Sequence, residues 1–75
     1  MGVSIHPAVA DDLAEAAEYY LQAGPELPRR LRRDTRETVK AVGAFPHIGR
    51  PVFEDYHQIA LRVFPHLVIC RVVAL

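Results

Sequence analysis

The stretch HQIALRVFPHLVICRVVAL, residues 57–75, decides the fold of this chain. Residues 57–64 alternate between two sides, which is typical of a half-buried strand. One side of this strand would carry Ile59, Leu61 and Val63. The other side would carry Gln58, Ala60, Arg62 and Phe64. After a tight connection at Pro65 and His66, residues 67–75 are almost continuously apolar, with Arg71 as the one charged residue. Such a run predicts an interior strand that is covered on both faces.

Two helices are predicted upstream of this stretch. Residues 3–6 alternate like a short strand, and Pro7 suits the first turn of a helix. Gly24 followed by Pro25 ends that helix, and a second helical pattern then runs from Leu27 to Phe45. Because the link between them is so short, the helices should form an antiparallel hairpin. Residues 46–51 are interpreted as a turn-rich loop around Gly49.

The predicted order is therefore strand, helix, helix, strand, strand. A helical hairpin on one face of a small antiparallel sheet is an α+β fold, and residues 1–75 form a single domain. The last strand ends in Val72, Val73, Ala74 and Leu75 without a turn. An interior strand without a neighbour would leave an unpaired edge, so we expect either that a further strand of a longer parent protein has been lost, which we favour, or that another chain supplies it.

The composition restricts the class of protein. Nine basic and nine acidic residues give a net charge of zero, which argues against direct DNA binding. The single cysteine, Cys70, excludes an internal disulfide and favours a cytoplasmic protein. We expect no membrane span and no cofactor. The four histidines and Cys70 lack the spacing of metal ligands, so no metal site is expected.

A group of four basic residues and one separate arginine are candidate functional residues. Arg29, Arg33, Arg36 and Lys40 recur at helical spacing and form either a docking stripe for an acidic partner or an ordinary solvated helix face. Arg62 is a strand arginine that could pair with an acid or cover a face of the sheet, and no general acid or base is evident beside it.

Several motifs resemble the RelE/ParE family of bacterial toxins. The motifs are IHPAVADDL at residues 5–13, EAAEYY at 15–20, FPHIGRPV at 45–52, LRVFPH at 61–66 and ICRV at 69–72. They occur in the family's order and cover the whole chain. The family often has Tyr where this chain has His66 and Cys70, and its members continue into another strand and a basic tail. The resemblance therefore implies a toxin domain without the family's last strand and tail.

The resemblance implies a function and partners. A ParE-like toxin would poison DNA gyrase by binding it, without chemistry of its own, and a cognate antitoxin of the ribbon-helix-helix type would neutralise it. A RelE-like ribosome-dependent mRNA endonuclease, with Arg62 as its catalytic residue, is the alternative. A third possibility is a non-toxic form that only binds antitoxin or associates with itself. Antitoxin binding is expected at the basic stripe and on the last strand, at Leu67, Ile69, Arg71 and Val73.

Overall fold

A computed structural model describes residues 2–73 of the chain. These residues form two helices and four strands in the order β-α-α-β-β-β, so the α+β class is confirmed. The elements are β1 (Gly2–Ile5), α1 (Pro7–Ala23), α2 (Leu27–Ala44), β2 (Arg50–Phe53), β3 (Tyr56–Ala60) and β4 (Leu67–Val73). Among these residues, neither helix is both long and apolar enough to cross a membrane.

Hydrogen bonds and prolines at the helix ends account for where the two helices begin and for where α1 ends. His6 precedes α1, and its Nδ1 accepts a hydrogen bond from the backbone N–H of Ala8 at 3.2 Å. Pro7 and Pro28 both lie in first turns, where a missing N–H costs little. The N–H of Gly24 donates to the carbonyl of Tyr20 and closes α1. The two helices are joined by three residues and pack against each other, so the predicted helical hairpin is confirmed.

The strand β4 lies inside the sheet, as its apolar sequence predicts. The sheet is antiparallel, with the order β1-β4-β3-β2. Cys70 is paired with Ile5 of β1 on one side and with His57 of β3 on the other. The expectation of an unpaired edge beside β4 is wrong, because β1, the first strand of the chain, pairs with β4 along that edge. Ala74 and Leu75, part of that expectation, lie outside the described residues.

The strand β2 was not expected from the sequence. It begins at Arg50, inside the segment interpreted as a loop, and pairs with β3 through Arg50 and Gln58. All four of its residues are exposed, and Pro51 lacks an N–H to donate, which is tolerated on an edge strand. The register shifts between Pro51 and Phe53. A short, exposed strand of this kind carries little hydrophobic pattern.

The strand β3 is shorter than the sequence suggests. It ends at Ala60, although the alternation continues to Phe64. Beyond Ala60 the backbone leaves the sheet, because the N–H groups of residues 62–64 donate to Asp34 of α2 instead of to a neighbouring strand. The predicted sides are therefore wrong at the end of the segment, where Phe64 is buried and Val63 is exposed.

The core lies between the helical hairpin and one face of the sheet. Leu31 and Val42 of α2 and Val68 and Cys70 of β4 are almost completely buried, and Val9, Leu61 and Phe64 complete the buried cluster. Burial of each large aliphatic side chain contributes about 1.5–3 kcal/mol. The outer face of the sheet is not covered by any element of residues 2–73, so the candidate surfaces lie there and around α2.

Candidate partner-binding surfaces

The two flanks of α2 take part in different surfaces. The buried face of the helix carries Leu31, Thr38 and Val42. One flank faces α1, and the other faces β3 and the segment that links β3 to β4. Because α2 is strongly basic between residues 29 and 40, both flanks carry guanidinium groups. The geometry therefore separates cations that are close together in the sequence.

The first surface is a depression between the two helices, which we call the interhelical groove. Its volume is about 630 Å³. It is lined by Ile5, Ala10, Leu13, Ala14, Ala17, Leu31, Arg32, Thr35, Arg36 and Val39. The lining is mainly apolar, with Arg32 and Arg36 exposed at its rim. An apolar floor beside cationic groups suits an amphipathic segment that carries acidic residues.

The second surface lies on the other flank of α2, and we call it the basic groove. Its first part, of about 420 Å³, is lined by Arg30, Arg33, Asp34, Glu37, Arg62 and Val63. Glu37 and Arg62 also line a second part of about 450 Å³, with Thr38, Lys40, Ala41, Ala44, Ile48, Ile59 and Ala60. These shared residues join the two parts along α2. Cations from α2 and from the segment after β3 therefore meet there.

Asp34 holds the floor of the basic groove in place. Its Oδ1 accepts a hydrogen bond from the N–H of Arg62 at 3.2 Å, and its Oδ2 accepts from the N–H groups of Val63 and Phe64 at 2.9 Å each. The residue is 6% exposed. Hydrogen bonds to a buried carboxylate are among the stronger ones in proteins. The position of Arg62 is therefore fixed by its backbone, while its side chain remains exposed.

The predicted basic stripe is not one surface. Arg36 lines the interhelical groove, whereas Arg33 and Lys40 line the basic groove. Arg29 is exposed on the same helix and is absent from the lining of both grooves. Partner binding by these four residues remains a prediction.

Sequence reasoning did not select Arg30, Arg32 or Val63. The signal that could have identified the basic groove is Asp34, an acid within the most basic part of the helix. Arg30 and Glu37 lie four residues before it and three residues after it, which is the spacing of neighbours on a helix face.

The candidate residues of β4 share the outer face of the sheet. Side chains of a strand alternate between faces, and Val68 and Cys70 point into the core. Leu67, Ile69, Arg71 and Val73 therefore lie on the opposite face, and Leu67 is 53% exposed. Arg71 contacts Asp55 at 3.4 Å and lies 5.0 Å from the centre of the Tyr56 ring. These residues thus form a row on a face rather than an edge, and partner binding there also remains a prediction.

The surroundings of Arg62 bear on its possible catalytic role. Arg62 follows β3 instead of lying within it, and it lines the basic groove together with Arg30 and Arg33. The carboxylate oxygens of Asp34 are already hydrogen bonded to backbone N–H groups, and the other carboxylate that lines this part of the groove is that of Glu37. An exposed arginine with two neighbouring arginines can bind an anion.

Cys70 is fully buried in β4. Burial raises the pKa of its thiol, because the charged thiolate is disfavoured away from water. A reactive cysteine needs the thiolate form, so this environment favours a packing role for Cys70.

Comparisons with known proteins identify the family. A family model described as the ParE toxin of type II toxin-antitoxin system, parDE, matches residues 3–74. The chain is 37% identical over 68 residues to Toxin ParE2 of Mycobacterium tuberculosis strain CDC 1551 / Oshkosh and to Toxin ParE2 of strain ATCC 25618 / H37Rv. Each alignment covers 89% of this chain and 65% of the relative, so the chain spans about two thirds of the length of these relatives. No solved structure matches the chain significantly.

The family match extends over both helices, over β2, β3 and β4 and over β1 from Val3 onward, and it therefore includes both grooves. The chain belongs to the ParE toxin family of type II toxin–antitoxin systems.

Proposed function

We propose that this chain acts as a ParE-like toxin, which binds and poisons DNA gyrase and is neutralised by a cognate antitoxin. The observation that carries antitoxin binding is the interhelical groove, with its apolar lining and its rim of Arg32 and Arg36. An antitoxin of the ribbon-helix-helix type would place an amphipathic segment in this groove, with apolar side chains on the floor and acidic side chains on the arginines. Poisoning by protein binding requires no catalytic group in this chain.

Toxicity and its target can be tested in sequence. Induced expression of the chain in bacteria should arrest growth, and normal growth would contradict the toxin proposal. The purified protein should then inhibit supercoiling by DNA gyrase in vitro. Growth arrest without any effect on gyrase would exclude gyrase as the target but leave the toxin function in place.

The docking site has a matched pair of variants. Ala14 is exposed on α1 and lines the interhelical groove, whereas Ala8 is exposed on the same helix and does not line it. Ala14→Glu should reduce antitoxin binding, because it places a larger, charged side chain on an apolar floor, and Ala8→Glu should not. Co-expression with the antitoxin should rescue growth for Ala8→Glu and fail to do so for Ala14→Glu. Equal rescue of both would place the antitoxin elsewhere.

A second candidate function is cleavage of mRNA on the ribosome. The observation in its favour is the meeting of Arg30, Arg33 and Arg62 in the basic groove, because guanidinium groups bind phosphate well. Primer extension on translated messages would reveal cleavage sites. Arg62→Ala should abolish such cleavage but leave gyrase poisoning largely intact. Loss of both activities in this variant would contradict the separation of the two functions.

A further inference from the structure

The basic groove carries cations that are not neutralised by the chain itself. Arg30, Arg33, Lys40 and Arg62 line it, and Glu37 is the exposed acid among the lining residues. The carboxylate of Asp34 is buried and is used by three backbone N–H groups. Within residues 2–73, the one ion pair with a distance of 4.0 Å or less joins Arg71 to Asp55, on the outer face of the sheet. The groove therefore has an excess of positive charge.

The same groove also exposes apolar side chains. Val63 is 76% exposed beside Arg62, although its backbone N–H is fixed by Asp34 at 2.9 Å. Ile48 is 38% exposed at the other end of the groove. An exposed aliphatic side chain whose backbone is held in place loses little entropy when it is covered. The groove thus offers apolar contacts and cations side by side.

We propose that the basic groove binds an acidic peptide segment of a protein partner. Carboxylates of the segment contact Arg30, Arg33 and Arg62, and an apolar side chain of the segment covers Val63. A planar guanidinium can bind a carboxylate through two parallel hydrogen bonds, which gives geometric specificity as well as affinity. Lys40 extends the positive charge towards the second part of the groove.

The charge of the whole chain favours a peptide over a nucleic acid. The chain has no net charge, and its first 28 residues carry five acids and no Lys or Arg. A long polyphosphate that follows the protein surface would be repelled by these carboxylates, whereas a short acidic segment needs only the local groove. Nucleic-acid-binding domains are usually basic as a whole.

This surface is separate from the groove proposed for the antitoxin. The interhelical groove uses Arg32, Thr35, Arg36 and Val39, on the opposite flank of α2. The inference therefore does not depend on gyrase poisoning or on antitoxin docking between the helices. If gyrase poisoning or antitoxin docking between the helices is disproved, peptide binding in the basic groove can still be tested, and the reverse also holds.

The test measures binding of the full chain to a fluorescein-labelled peptide of Glu, Asp and Leu by fluorescence anisotropy at low ionic strength. Arg33→Glu should weaken binding about tenfold, because it replaces an attraction by a repulsion. Arg29→Glu is the control for net charge, and Arg36→Glu is the control for the interhelical groove. Both should change the affinity by less than about threefold. Thermal unfolding followed by circular dichroism verifies that each variant is folded, and Arg30→Glu replaces Arg33→Glu if that variant is not.

Four results would overturn the inference. An equal effect of Arg29→Glu and Arg33→Glu would mean that only net charge matters. A larger loss of affinity for Arg36→Glu than for Arg33→Glu would mean that the peptide binds in the interhelical groove. A single-stranded oligonucleotide that displaces the peptide and depends on Arg33 in the same way would make the groove a nucleic-acid site. A fourth result, no detectable binding of the peptide to the unaltered chain, would also reject the inference.

Discussion

The side chain of Asp34, in the middle of α2, accepts a hydrogen bond from the backbone N–H of Phe64, with 2.9 Å between Oδ2 and the nitrogen. Phe64 is itself a member of the buried core. The same carboxylate accepts hydrogen bonds from the N–H groups of Arg62 and Val63, so one acid binds three consecutive residues of the connection between β3 and β4. The helical hairpin and the sheet are thereby joined by a polar anchor as well as by apolar packing.

We expect Asp34→Asn to destabilise the protein by about 2–4 kcal/mol. The amide has one acceptor oxygen in place of two, and its NH2 group would face backbone donors. Chemical denaturation with urea measures the change in the free energy of unfolding. The control is Glu37→Gln, an exposed position one turn further along α2, which should change stability by less than about 0.5 kcal/mol. Similar losses of unfolding free energy for both variants would mean that the hydrogen bonds of Asp34 do not stabilise the fold.

A second expectation concerns the contact between α1 and the end of the β3–β4 connection. The hydroxyl of Tyr20 lies 2.9 Å from Nε2 of His66, and its ring packs edge-on against Phe64. Tyr20→Phe keeps the ring and removes the hydrogen bond, so we expect a loss of about 1 kcal/mol. The neighbouring Tyr19 is 72% exposed, and Tyr19→Phe should leave the melting temperature unchanged. An unchanged melting temperature for Tyr20→Phe would mean that water replaces the bond without cost.

A third expectation compares two glycines. Gly49 has a φ of +87°, and a Cβ there would lie 2.5 Å from Cγ1 of Ile59 and 2.6 Å from the carbonyl oxygen of Gln58. Gly49→Ala should therefore destabilise the protein by at least about 2 kcal/mol. A Cβ on Gly43, in the last turn of α2, would meet only Cγ2 of Val3 at 3.9 Å. Gly43→Ala should stabilise the protein by about 0.5 kcal/mol, because alanine favours the helix. Thermal unfolding should move in opposite directions for the two variants.

A fourth expectation follows from the raised pKa of Cys70. The buried thiol should react with iodoacetamide at neutral pH much more slowly in the native protein than in urea. Because the unfolded chain releases the thiol proton at a lower pH than the folded chain, folding stability should fall as the pH rises above the ordinary pKa of a thiol. Stability curves at neutral and alkaline pH would measure the difference. A native thiol that reacts as fast as the unfolded one would contradict the burial.

Local signals in the sequence were sufficient for the helices and for β4. Gly24 and Pro25 separate the helices by backbone chemistry alone, and the apolar run around Val68 indicates an interior strand without knowledge of its neighbours. The end of β3 could not be predicted in this way, because it depends on Asp34, which is 30 residues distant from Phe64 in the sequence. The short edge strand β2 leaves almost no periodic pattern.

The candidate surfaces were harder to predict than the elements. Arg30 and Arg62 belong to different parts of the chain, and only the turn fixed by Asp34 brings them to one groove. Conversely, Arg33 and Arg36 are only three residues apart in α2, yet they line different grooves. Helical spacing shows which residues of α2 lie close together on the helix. It does not show which other elements of the fold pack beside each of them.

The position of β4 between β1 and β3 also has a consequence for synthesis of the protein. The ribosome makes β4 after the other five elements, yet β4 connects the two halves of the sheet. Until β4 emerges, β1 has no partner, and the helical hairpin has no complete sheet to cover. The pairing of Gly2 with Val73 joins the two ends of the described residues, so it is a contact of the type that slows folding. The nascent chain would therefore expose its apolar helix faces until the last strand is inserted, and proteases and chaperones would have access to it during that interval.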